Sequence, residues 1–350
     1  MNERPEAPPG PARPVPVPAA LRTLGRTPRE LAAHAARKLL TLTAGRLFVS
    51  GFGQGLRRRM ADRAGPVAWP GLRLAVAAHA YYPELLPEIL ACRNVLPPGT
   101  RLLVTVPREK ERPAAAQLAG VPDAMLFPVV NRGRDIGPFV SLLNAGLLDP
   151  YDAVLKLHTK RSPQLRDGET RRRLLFTLLA GEPHATARAL SAFTDPGVGM
   201  VGWRSAFRTA RPYWMANEAR VAALARAMDA GDAARLGFFE GSMFWFRPAA
   251  LRRIRQLGLQ PADFEAEAGQ LDGTLHHALE RLFTIAAWSD GYTVRSLGGG
   301  LLAGGEPVRQ GAEPSGPAVA QGQPQAAQDR GREGAAGQQQ RSLGGEPGRG

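Results

Sequence analysis

Between Leu72 and Ser162 the chain repeats one pattern: a short apolar run, a turn, and a stretch with helical spacing. The runs are Leu72–His79 (bounded by Pro70-Gly71), Arg101–Val106, Ala124–Val130 and the segment that begins at Tyr151. Helical stretches fall at Glu84–Asn94, Ala114–Leu118 and Ile136–Leu147, with Pro97-Pro98-Gly99 and Asp149-Pro150 as breaks. Apolar runs this short, alternating with helices over short connections, predict a mainly parallel, Rossmann-like α/β sheet. Ligands of such sheets bind outside the carboxyl ends of the strands, so the residues closing each run are the ones to read for chemistry.

The fourth run is the most informative. Ala153, Leu155 and Leu157 alternate with Val154, Lys156 and His158, which reads as a strand that starts buried and ends polar. Lys156, His158, Lys160 and Arg161 then crowd into six residues, although the whole chain has only four lysines. Compact ammonium charges beside a histidine suit a phosphate group, against the plainer reading of a solvated strand end. The third run leads directly into Asn131, Arg132, Arg134 and Asp135, and Asp135 is placed to cap the next helix. Delivered to one crevice, these two strand ends would match a nucleotide diphosphate. A glycine-rich phosphate loop is absent, because Gly51-Phe-Gly-Gln-Gly55 follows no parallel strand and lacks a following Lys-Ser/Thr.

Farther on, Arg171–Leu179 and Asn217–Ala230 read as helices, and Val198–Trp203 as a strand with close backbone approach at its glycines. Phe238–Pro248 reads as one aromatic strand. Phe244 and Phe246 belong to a core, and Trp245 faces the other side, where a sugar could stack on its indole. Glu240 shares the parity of the two phenylalanines and reaches that site only if Gly241 marks a bulge or the strand's start. Gln270–Arg281 reads as a helix start with Asp272 at its cap. Capping alone explains an aspartate there, and a catalytic carboxylate at a helix N-terminus is the alternative.

The formal net charge is +14 in 350 residues. It is concentrated in residues 1–65, which hold twelve Lys/Arg against four Asp/Glu. Thr27-Pro28-Arg29-Glu30 is a helix start for Leu31, Ala35, Leu39 and Leu42, and Leu47–Met60 carries three successive arginines beside Leu and Met. That segment fits either a membrane-surface helix on anionic lipid or a basic helix packed on the main domain. From Ala303 the chain has no aromatic residue and is expected to be disordered. The expected organisation is a Pro-rich leader with a basic helical segment (1–67), one α/β domain (68–300) and a disordered tail (301–350). The lone Cys92 forms no internal disulfide, and no apolar run reaches the ~18 residues of a membrane span. The expected location is therefore cytoplasmic, with peripheral contact at the inner face of the membrane as its extension. A nucleic-acid partner rests on net charge alone and is set aside for want of any recognisable module.

Four motifs in this order and spacing resemble the rhamnan synthesis protein F family: Asn131-Arg-Gly-Arg-Asp-Ile-Gly-Pro-Phe139, Leu155-Lys-Leu-His-Thr-Lys-Arg-Ser162, Gly241-Ser-Met-Phe-Trp-Phe-Arg-Pro248 and Gly269–Arg281. The resemblance covers roughly residues 72–297. It implies a glycosyltransferase of bacterial cell-surface polysaccharide assembly, with a single nucleotide-binding domain of the GT-A type. By that comparison His158-Thr159-Lys160 stands where an Asp-x-Asp metal motif is expected, so no cofactor is assigned and a divalent metal is doubtful. Asp272 falls at the place of the catalytic base. The resemblance thus implies transfer of rhamnose or a related deoxysugar from a nucleotide diphosphate to a glycan or lipid-linked acceptor. Lys156, His158, Lys160 and Arg134 would hold the diphosphate, with Asn131, Arg132, Asp135 and Arg161 in the same substrate site. Trp245 and Glu240 would line the sugar or acceptor site. The alternative is a non-catalytic glycan-binding or assembly module that keeps the pocket without turnover.

Overall fold

In the computed structural model, which describes residues 32, 35, 36, 39, 41–159, 161, 167–230 and 236–303, a helix Gly51–Ala64 (α1) precedes the first strand. The expected alternation follows: β1 Leu74–His79, α2 Leu86–Val95, β2 Arg101–Pro107, α3 Glu111–Leu118, β3 Ala124–Val129, α4 Ile136–Asn144 and β4 Ala153–His158. Next come α5 Gly168–Ala180, α6 Pro183–Leu190, β5 Val198–Gly202, β6 Phe207–Arg208, α7 Glu218–Ala227, β7 Phe238–Phe239 and β8 Phe244–Phe246. Then α8 Arg252–Gln256, α9 Leu275–Ser289, β9 Thr293–Ser296 and β10 Leu301–Ala303 close the series. Met1–Val308 forms one unit, and a second, Arg309–Gly350, lies outside the described residues together with the start of the N-terminal helix predicted from Thr27.

Eight strands make the main sheet in the order β10-β9-β5-β8-β4-β1-β2-β3. β1 pairs in parallel with β2 and β4, β2 with β3, and β5 with β9. β8 runs antiparallel between β4 and β5, so those two strands point the same way as β1. Every residue of β1 and of β4 is buried, as strands covered on both faces require. Ala75, Ala77 and Val154 face a core built with α4, α7 and α9, while Val76, Ala78, Leu155 and Leu157 face a second core built with α2 and α5. The close approach expected at the glycines of β5 is present: a Cβ on Gly202 would lie 2.4 Å from the Phe239 ring.

Several boundaries differ from the sequence reading. The aromatic segment is two strands, because Gly241 (φ +91°) and Ser242 (φ +53°) turn the chain between β7, which pairs with β6, and β8. Gly298-Gly-Gly300 is the turn of a hairpin that brings Leu301–Ala303 back onto β9, so ordered sheet extends past the expected end at residue 300. Trp245 is the largest correction. Its side chain is fully buried on the α2/α5 side, and its indole N–H donates to the Leu179 carbonyl at 3.0 Å. No sugar can stack on that ring, because β8 is an interior strand whose two faces are both core. Trp245→Phe is expected to lower the unfolding free energy by about 1–3 kcal/mol, through the lost hydrogen bond and the space left behind. Urea denaturation followed by circular dichroism measures it; an unchanged midpoint would contradict the core assignment.

Candidate functional site

Lys156 points from β4 into a buried polar junction. Its ammonium donates to Asp135 Oδ2 at 2.6 Å, and to the Ser242 carbonyl and hydroxyl, each at 2.9 Å. An ammonium has three donors, so all are engaged, and the side chain is only 2% exposed. Two turns make this possible. Gly133 (φ +71°) lies where a Cβ would strike the Phe264 ring, and Arg134 (φ +53°) also takes the left-handed region. Together they bring Asp135 back over the sheet to meet β4. Asp135 makes no side-chain cap to α4, contrary to expectation, because its carboxylate is turned to Lys156. One pleat farther along β4, His158 Nε2 donates to the Gly241 carbonyl at 2.9 Å and lies 3.8 Å from Asp135 Oδ2.

The same loop is stitched to the segment before α9. Arg132 donates to the Phe264 carbonyl at 2.9 Å, and Arg134 contacts Glu267 and donates to the Gln270 carbonyl. Glu265 supports that segment from below. Burial opposes its ionisation, yet the Arg220 guanidinium and the Leu275 amide hold its carboxyl below the usual range. α9 therefore starts at Leu275 under Glu265, and Asp272 is not its cap. Asp272 instead accepts from the Ala216 amide (2.8 Å) and the Asn217 side-chain amide (2.7 Å), fixing the loop before α7.

Around this junction stand groups that periodicity did not single out. His79 ends β1 beside His158 in register, with Nδ1 3.0 Å from the Thr105 hydroxyl. Thr105 donates to the Ala78 carbonyl, so His79 Nδ1 carries the proton, and the buried Nε2 has no partner among the described residues. Burial drives the His79 pKa down to about 3, although Asp135 pulls the other way. His276 and His277 open α9 with rings 4.2 Å apart, both within reach of the Thr274 hydroxyl. Burial lowers their pKa values to about 4 and about 3. All three imidazoles are thus neutral at neutral pH. Their only sequence signal was position: a polar residue closing an apolar run, and a His-His pair at a helix start.

Of the residues expected at the site, Arg132, Arg134, Asp135, Lys156 and His158 converge directly. Asn131 lies half-buried just beyond the end of β3. Glu240 lies in the turn after β7, in ion pairs with Arg171 and Arg208, so the break at Gly241 does free it from the parity of Phe244. Arg161 pairs at 2.8 Å with Glu84 and stacks over Tyr82, at the loop after β1. Lys160 lies outside the described residues. Lys156 is corrected from phosphate ligand to internal tie, since none of its donors is left to give. At the position expected of a metal motif, His158 presents an N–H to the Gly241 carbonyl, and the Thr159 hydroxyl accepts from the Tyr82 amide at 2.8 Å. Among the described residues no three His, Cys, Asp or Glu side chains group as metal ligands.

Residues 55–292 match the family model described as rhamnan synthesis protein F. The chain belongs to the rhamnan synthesis protein F family. The family takes its description from rhamnan synthesis. The chain is also similar to WxcX of Xanthomonas campestris pv. campestris, itself uncharacterized, with 35% identity over 226 residues in strain B100 and 34% in strain ATCC 33913. The aligned part is 63% of this chain and 32% of each relative, so the chain spans about a third of their length. No solved structure matches it significantly.

Two outcomes follow from the junction. Lys156→Met strands the Asp135 carboxylate and should cost about 3–5 kcal/mol of stability, while adding Asp135→Asn should recover part of it; denaturant titration of the single and double variants measures the coupling. His79 must take up a proton on unfolding below its ordinary pKa, so its depressed value stabilises the fold above about pH 6.5. That contribution is lost as pH falls toward about 3. His79→Gln should flatten the pH dependence by about 1.4 kcal/mol per pH unit between pH 6 and 4, and identical slopes would refute the assignment.

Proposed function

We propose that this chain is a glycosyltransferase of the GT-A type, moving rhamnose or a related deoxysugar from a nucleotide diphosphate to a glycan or lipid-linked acceptor. One observation carries the reading. The four family motifs are separate in sequence, yet side-chain hydrogen bonds to side chains and backbone carbonyls tie them together at one sheet edge: Asp135 to Lys156 to Ser242, His158 to the Gly241 carbonyl, and Arg134 to the Gln270 carbonyl. Such ties hold a loop set in one geometry, as substrate positioning requires. Family membership supplies the polysaccharide context.

In the proposed reaction the acceptor hydroxyl attacks the anomeric carbon as the bond to the diphosphate oxygen breaks. The hydroxyl proton passes to Asp272, and the nucleoside diphosphate departs. Arg134 and Arg161, with Lys160, would offset the charge growing on the leaving group, without a divalent cation. Lys156 and His158 would act at one remove, holding Asp135 and the turn at Gly241-Ser242. Glu240 would line the sugar or acceptor site. Asp272 keeps spare acceptor capacity, because among the described residues each carboxylate oxygen accepts one hydrogen bond and has room for another.

Turnover of nucleotide sugars by purified protein tests this, after a thermal-shift screen of nucleotide diphosphates and their sugars. A ligand at about 100 times its dissociation constant adds ~2.7 kcal/mol of stability. Asp272→Asn should cut the rate roughly 10²–10⁴-fold with donor binding retained. Asn217→Ala loosens the same loop while leaving the carboxylate, and is expected to cost less than about tenfold. Equal losses in both variants would reduce Asp272 to a loop anchor. Activity abolished by EDTA and restored by Mg²⁺ or Mn²⁺ would remove the metal-free part. The full engagement of the Lys156 ammonium favours one second reading, a non-catalytic glycan-binding or assembly module. Ligand binding without any nucleotide release would select it.

A further inference from the structure

Helix α1 turns its apolar side away from the protein. Its Gly53, Arg57 and Ala61 side faces the body: Gly53 is buried, and Arg57 donates to the Phe48 carbonyl and lies 4.1 Å over the Phe48 ring. Between α1 and the helices beneath it is a cavity of about 840 Å³, with Gln54, Arg57 and Asp62 across from Glu88, Arg173 and Glu182. The seam therefore mixes charged side chains with apolar ones and is loosely filled. Turned about 100° round the helix from that side, Phe52, Leu56 and Met60 are 73%, 51% and 61% exposed. Their spacing of four sets them in one row along the helix. At 100° per residue Arg59 and Arg63 fall within the same row, and among the described residues no carboxylate forms an ion pair with either. Leu47, on the short helix Arg46–Val49 just before, is 60% exposed as well.

Water is a poor medium for such a row, and its charge selects what covers it. Arginines interleaved with apolar side chains, with no acidic partner among the described residues, match a surface that is anionic outside and apolar within. The row spans ~12 Å of helix, too little for the ~800 Å² a side of a standard protein interface. It is enough to dip three side chains into a headgroup layer while the arginines reach the phosphates. We infer that α1 is a membrane-surface element that rests its Phe52–Leu56–Met60 row on anionic lipid. The helices under it, α2 and α5, cover the sheet face of Leu155 and Leu157, opposite to Lys156 and His158. A bilayer there leaves the strand-end edge uncovered.

Co-sedimentation of the full chain with vesicles tests this, using phosphatidylcholine alone and phosphatidylcholine mixed with phosphatidylglycerol, at low and high salt. The expected result is binding to the mixed vesicles that salt weakens. Phe52→Ser/Leu56→Ser/Met60→Ser should weaken it at least about tenfold, and Arg59→Gln/Arg63→Gln about 25-fold, near fivefold per arginine. Melting curves should match the parent, since these side chains are exposed. The inference is overturned if the parent ignores anionic vesicles, if both variants bind like the parent, or if neutral vesicles bind equally well. It is overturned too if the triple variant dissolves a dimer without altering vesicle binding, which would make the row a contact between two copies.

Discussion

The structure turns on an ammonium ion buried at the end of a strand. Stripping Lys156 of water costs several kcal/mol, so it survives there only because Asp135 and Ser242 replace that water completely. Each partner comes from a different part of the chain, and neither belongs to a regular element. The loop after β3 must pass through two left-handed residues to present Asp135, and the β7–β8 turn needs two more to present the Ser242 carbonyl. The charge thus specifies two irregular loops at once. An apolar residue in its place would ask for nothing and leave both undetermined.

That requirement also accounts for the odd strand in the sheet. Parallel strands present their C-terminal ends on one edge, but a loop entering an antiparallel strand arrives at the same edge from the other direction. β8, placed between β4 and β5, carries Ser242 and Gly241 on its entering loop and so sets them over the ends of Lys156 and His158. α9 contributes through its body, where Glu280 accepts from the Gly241 amide at 3.0 Å, and through its approach. Glu265 secures its first turn, which leaves the Phe264–Gln270 stretch to hold Arg132 and Arg134.

Local pattern carried much of this. Four apolar runs with helical spacing between them were enough for β1 to β4 and the sense of the sheet, because such strands are buried on both faces and read as continuous runs. The same runs marked which residues would sit on the ligand-facing edge. What local pattern lacks is the identity of partners a hundred residues away. Trp245 read as sugar-facing because alternation says which side a residue takes, and not that the far side is packed by Leu179 and its neighbours. Asp272 read as a helix cap because nothing local announces Asn217. Lys156 read as a phosphate ligand for the same reason: a strand-end lysine looks alike whether an aspartate or solvent awaits it.

The cations at the edge consequently fall into two classes. Lys156 is 2% exposed against an Asp135 at 16%, and a ligand cannot take the ammonium without opening the junction. Arg134 with Glu267 (40% and 26%) and Arg161 with Glu84 (50% and 52%) are surface pairs. Pairs of that kind are worth about 0–1 kcal/mol, because water already screens them. An anion with two negative phosphates offers those guanidiniums more charge than a single carboxylate does, and the displaced glutamate returns to solvent at little cost. On the proposed function the exposed arginines are the exchangeable set, and the buried lysine keeps the loops they stand on from moving when the exchange happens. The neutral state of His79 serves the same end, since a further positive charge there would repel the Lys156 ammonium and compete with it for Asp135.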